Sequence, residues 1–218
     1  MKSLTRLVIA LLLVASLPGS PAFAEAPRLV CLVASVKGEV VLSPADGPKK
    51  PLELFTRLRE GERLELALHS EVQLAFLQKG VRETWSGPAT VLITADGGQS
   101  PDGPSVPVTE KLPIKARPSG ASSSVLSQGG EQATAQTMTR DVTLPEDKPL
   151  SDDDKAKLAD VEQAVAQMRQ KAAPGDVTPD IVLLEELTRL DQRRRVDEEL
   201  KRLRAAYPDN ATLAHWGE

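Results

Sequence analysis

His69, His215 and Cys31 are the side chains of this chain best suited to nucleophilic or soft-metal chemistry near neutral pH. A zinc-type site needs three or four such ligands at short, defined spacings, and two histidines with one cysteine supply none. His69 stands beside Ser70, a base next to a hydroxyl. Ser70 is not set in a G-x-S-x-G turn, which would lift a nucleophile out of the end of a strand. Asp152-Asp153-Asp154 offers three carboxylates, but without the spaced oxygen ligands and glycine of a calcium loop. Three acids following Ser151 suit the positive end of a helix, with Ser151 as the cap. Gly97-Gly98 and Gly129-Gly130 lack the strand before and helix after that a phosphate-cradling loop requires. The expectation is therefore no catalytic residue, no metal site and no cofactor.

Two features suit recognition better than catalysis. Trp85 lies on a strand-like stretch, where it is either core or a platform for a ligand. Arg193-Arg194-Arg195 is either the solvated start of a helix, neutralised by 197–199, or a contact for an acidic partner. Trp85, Arg193, Arg194 and Arg195 are carried forward as the candidate partner surface.

The composition narrows the partner classes. The chain holds 27 basic and 31 acidic residues, a formal net charge of −4, with the signs interspersed. That balance provides no electrostatic footprint for nucleic acid. Aromatics make up 3% of the chain, too few for the exposed stacking platforms that bases and sugars favour. One cysteine excludes an intramolecular disulfide.

Residues 1–24 have the form of a secretory signal. Lys2 and Arg6 precede the apolar run 7–17, and Ala22-Phe23-Ala24 places the cut between Ala24 and Glu25. The run is too short to span about 30 Å of hydrocarbon, and no later segment is apolar enough to do so. The expected location is periplasmic or extracellular, with no integral membrane segment after signal removal.

Three textures follow. Over 28–116 the pattern is that of strands. LVCLVASV (29–36) and EVVL (39–42) flank Lys37-Gly38 as an expected hairpin. Leu64, Leu66 and Leu68, then Val72, Leu74 and Phe76, alternate with polar residues, which predicts two paired strands with these six side chains inward. Gly38, Gly61, Gly80 and Gly87 are the expected turn glycines. Five or six short strands of this kind describe a small antiparallel β sandwich or barrel.

Residues 117–150 are rich in Ser, Gly, Gln and Thr and are expected to be a flexible polar linker. Over 151–218 the apolar spacing becomes helical, with helices expected at about 152–171, 179–190 and 193–206. Thr178 is expected as the cap of the second helix with Pro179 behind it, and Asp197–Lys201 and Glu198–Arg202 as pairs along the third. The fold class is α+β in segregated modules, an antiparallel β sandwich or barrel followed by a helical hairpin or three-helix segment.

VASVKGEVVL (33–42), LREGERLELALHSEVQLAFLQKG (58–80) and SGPATVLI (86–93) together resemble the FecR-like domain, an extracytoplasmic β module of bacteria. Gly61-Glu62, Ser70, Leu74, Phe76 and Gly80 occupy the positions of its turn and strand pattern, while Gln78-Lys79 stands where that family often carries an aspartate. Residues 179–208 resemble one tetratricopeptide-type helix pair. Such a pair cannot bury its apolar face alone and needs cover from a neighbouring helix or another protein. The resemblance implies an exported, non-catalytic interaction or adaptor module of the cell envelope with a protein partner, linked to envelope signalling. The alternative is a binder of cell wall or polysaccharide.

Overall fold

The computed structural model describes residues 28–103, 105–114, 147–214 and 216. The signal-like segment with Ala24 and Glu25, Gly129-Gly130, most of the expected linker and His215 lie outside these residues.

Ten short strands follow the apolar runs between turns. They are β1 (Leu29–Lys37), β2 (Val40–Ser43), β3 (Lys50–Pro51), β4 (Arg57–Arg59) and β5 (Arg63–Leu66). The rest are β6 (Glu71–Phe76), β7 (Val81–Ser86), β8 (Ala89–Thr94), β9 (Gly97–Gln99) and β10 (Val108–Lys111). They form two five-stranded antiparallel sheets, ordered β10-β7-β6-β1-β4 and β3-β2-β5-β8-β9. Four helices follow: α1 (Asp152–Lys171), α2 (Thr178–Arg189), α3 (Arg193–Ala206) and a short α4 (Ala211–Ala214). The segregated α+β layout is as expected.

Two expected strand pairings are corrected. β1 and β2 are not a hairpin, since β1 pairs with β4 and β6 while β2 pairs with β3 and β5. Gly38, at φ +71°, instead turns the chain from one sheet to the other. There is no room for a side chain, because a Cβ at this position would lie 3.0 Å from the Ser70 backbone. Likewise β5 and β6 lie in different sheets, and β5 pairs with β8. Alternation identifies the face of a strand and not its neighbour. Leu64, Leu66, Val72, Leu74 and Phe76 are buried as expected, but Leu68 falls in the crossing loop and is 65% exposed. The β6–β7 turn through Gly80 is a true hairpin, joining Phe76 to Val81.

The first sheet is buried on both faces. Cys31 and Val33 of β1, with Leu74, Phe76 and Trp85, pack against the second sheet. Leu32 and Ala34, with Ala75, Leu77 and Leu112, pack against the helices. A near-continuous apolar strand such as 29–36 is what burial on two sides demands. The two halves are therefore joined through the cluster that the first sheet shares with the helices, while the sandwich interior forms a second one. The backbone N–H of Val177 donates to the Ala34 carbonyl at 2.9 Å, so the start of α2 is tied to β1.

α2 is buried from Thr178 through Leu187, the pattern of a helix with no solvent face. α1, α3 and β1 pack against it, so the face expected to need a partner is covered by this chain. The cap of α2 differs from expectation. Val177 is at the cap position and Thr178 opens the helix, because the Asp176 carboxylate takes the Thr178 N–H at 2.9 Å. Ser151 caps α1 as expected, accepting the Asp154 N–H at 3.1 Å. The last residues of the expected linker are held in place: Gln192 donates to the Lys148 carbonyl at 2.7 Å, and Leu150 packs on the helical core.

Phe55, buried and at φ +63°, leaves the loop before β4 and meets the C-terminal helices. Its ring stands edge-on to Tyr207 and Trp216, with centroids 5.6 and 5.8 Å away. Three of the few aromatics thus fasten the helices to the sandwich.

With one cluster shared by sheet and helices, unfolding should be a single transition by calorimetry and by both near- and far-UV dichroism. Ile181→Ala, in the helices, should lower the stability of the whole chain by about 3 kcal/mol. A separate β transition unaffected by that change would refute the coupling.

Candidate binding groove

The candidates read from sequence are dispersed across the molecule. Trp85 is 2% exposed, and its Nε1 donates to Glu83 Oε2 at 3.0 Å. The Gly98 N–H donates to the same oxygen at 2.9 Å. Gly97-Gly98 therefore has a role not expected of loop glycines. A Cβ on Gly98 would lie 2.8 Å from the Trp85 ring, and one on Gly97 would collide with the Glu83 carboxylate. Cys31 is fully buried, and burial, with Glu83 and Glu62 nearby, pushes its thiol well up. The Ser70 hydroxyl donates to the Ala67 carbonyl at 2.7 Å, which holds the loop carrying His69 at φ +63°.

The arginine run is bound to this chain's own acids. Arg193 pairs with Asp191 at 2.8 Å, the Arg194 N–H donates to Asp147 at 2.8 Å, and Arg195 pairs with Glu162. Asp152 and Asp153 pair with Lys155 and Lys157 along α1. Asp197 pairs with Lys201 at 2.7 Å as expected. Arg202 does not take Glu198; it reaches Asp180 and Glu199, each at 2.7 Å. Arg169 of α1 binds the same two acids at 2.7 and 2.8 Å, so one four-membered network ties α1, α2 and α3 together. Burial pushes the Glu199 carboxyl up, but Arg202 and Arg169 outweigh it and hold it below the usual range. Arg57 lies 4.8 Å over the Trp216 ring, with its guanidinium pulled down by burial. Among the described residues, no group of three or more His, Cys, Asp or Glu could hold a metal ion.

One concave region joins the two halves. A groove of about 310 Å³ runs between β10 and α1, closed at one end by the start of α2. Leu112, Pro113, Ala164 and Met168 give it an apolar lining, and Lys111 and Lys171 stand at it with Arg82. Arg82 is the anchor of the floor. Its Nη1 donates to Asp176 at 2.8 Å and to Gln73 and Thr178 at 3.2 Å each, and its Nη2 donates to Glu110. Those bonds join β6, β7, β10 and the α1–α2 turn at one guanidinium. Lys111 and Lys171 form no ion pair among the described residues.

β10 ends its sheet, paired on one side only among the described residues. All four of its residues are exposed, and Val106 and Val108 are 84% and 73% exposed. The other sheet edges are guarded or short. β3 consists of Lys50 and Pro51, while β4 and β9 are three residues each. Position parity puts Val106, Val108, Glu110 and Leu112 on one face. On that face Glu110 separates the buried Leu112 from the exposed Val108 and Val106.

The groove was not anticipated from sequence. V-P-V-T-E-K-L-P (106–113) does alternate between two prolines, a signal for a short edge strand. Nothing in sequence links Arg82 to Asp176 and Thr178, which approach it from the far end of the chain. No family model, curated protein or solved structure matches the chain.

Two outcomes follow. Arg82→Leu leaves the buried Asp176 carboxylate unpaired and should cost about 3 kcal/mol in urea unfolding, with Asp176→Asn costing less. For Glu199, the folded carboxyl stays ionised to lower pH than the unfolded one, so its contribution is full above the ordinary glutamate range. It is lost as pH falls toward the depressed value. Glu199→Gln should therefore be the weaker protein at pH 7, with the gap closing at pH 3. A gap independent of pH would refute this origin.

Proposed function

We propose that the chain is an exported, non-catalytic interaction module of the bacterial cell envelope, which holds a partner protein along β10. The outer edge of β10, unpaired among the described residues, with Val106 and Val108 exposed, is the observation that carries the reading. Strand edges offer unpaired N–H and C=O groups to an incoming extended segment, and adjacent pockets read alternate side chains. The resemblance of 33–93 to the FecR-like domain and the signal-like 1–24 support an envelope location, and envelope signalling is the process this reading favours. Binding of polysaccharide has less support, because Trp85 and Trp216, the two indoles, are both buried.

A photo-crosslinking residue placed at Val108 of the exported chain should trap a discrete protein partner in living cells. The same residue at exposed Ala45, in the β2–β3 loop of the second sheet, should not. Equal products from both positions, or none from either, would sink this reading.

A further inference from the structure

We infer that the segment held along β10 is acidic, with its carboxylates received by Lys111 and Lys171. This rests on the docking reading above and adds the chemistry of the partner.

The groove's own acids are already engaged. Glu110 and Asp176 both accept from Arg82, and the Asp176 side chain is only 5% exposed. That trio carries a net charge of −1, which the two positive charges of Lys111 and Lys171 exceed. Lys111 and Lys171 also stand at the groove, and neither has an acid within ion-pair reach among the described residues. By contrast, the nearby helical arginines Arg169 and Arg202 each hold two acids. Two unneutralised ammonium groups beside an apolar lining favour an anion that brings its own apolar body.

An extended peptide meets both demands better than a small anion does. Lysine is a flexible, strongly hydrated point charge, so two of them hold a free anion weakly. A peptide adds backbone bonds to β10, and side chains at alternate positions face the same way. Parity sets Lys111 opposite Val108 and Leu112, so an acid of one parity meets Lys111, while an acid of the other parity meets Lys171 beside apolar residues against Met168 and Leu112. Pro107 and Pro113 bracket the usable edge, so the paired window is the four residues Val108–Lys111. Specificity in so short a window falls largely to charge.

The test is selection of random octapeptides displayed against the purified chain, followed by affinity measurements on the enriched sequences by fluorescence polarisation. Enriched peptides should carry Asp or Glu together with apolar residues. Their affinity should fall about tenfold on the double change Lys111→Gln and Lys171→Gln, and similarly at high salt. The pair Val106→Ser and Val108→Ser, both in solvent, should also weaken binding without disturbing the fold. Neutral or basic peptides that respond to the serine pair but not to the glutamine pair would overturn the acidic assignment and leave docking at β10 standing. No enrichment, or enrichment indifferent to the serine pair, would overturn docking itself. A purified chain that is dimeric, and monomeric with the serine pair, would make a second copy the occupant and overturn the acidic partner.

Discussion

The structure depends on one strand being apolar on both faces. β1 sends Cys31 and Val33 into the sandwich and Leu32 and Ala34 toward the helices, and all four are fully buried. A sandwich alone would leave Leu32, Ala75 and Leu77 in water, at a cost of roughly 25 cal/mol per Å2 of apolar surface. The helices alone would leave α2 without its floor, since Ile181 and Leu184 belong to the same cluster as Ala34. The sandwich has its own interior but an uncovered outer face, and the helices need that face as their floor. The order along the chain is segregated, but the packing is continuous.

Charge then settles how the parts sit against each other. Apolar contact is tolerant of sliding, whereas a guanidinium with four acceptors is not. Arg82 fixes the sheet edge against the α1–α2 turn, and the network of Arg169, Arg202, Asp180 and Glu199 fixes the three helices. Buried or half-buried ion pairs add little net stability once desolvation is counted, so their effect here is geometric. The same argument applies at the other end, where Arg57 lies across Trp216 and Phe55 wedges between Tyr207 and Trp216.

The faces of the elements were legible in the sequence, while their neighbours were not. Period-two spacing put Leu64, Leu66, Val72, Leu74 and Phe76 inward, and helical spacing found the stripes of α1 to α3. The same spacing made β1 and β2 look like a hairpin, because a glycine turn between two strands reads alike whether the chain reverses or crosses to another sheet. Leu68 was misplaced for a related reason: it extends the alternation one step past the end of β5. Arg82 gave no signal, since its partners are remote in sequence. Trp85 was weighed as core or platform, and its position was decided by Glu83 and by two glycines thin enough to admit the indole.

The groove is a by-product of the way the core is completed. α1 has to cover Leu112, which lies next to the exposed end of β10, and in doing so it raises a wall beside an edge unpaired among the described residues. An open edge carries a risk of uncontrolled pairing, which proteins usually suppress with proline, charge or brevity. The second sheet is guarded in this way by Lys50, Pro51 and a three-residue β9. β10 carries guards too, Glu110 and Lys111 within it and Pro107 and Pro113 at its ends, and its edge is confined to the four residues Val108–Lys111 between those prolines. Two exposed valines at so narrow an opening do nothing for the core, because Val106 and Val108 touch neither hydrophobic cluster. A window of this size suits an extended segment far better than a folded surface.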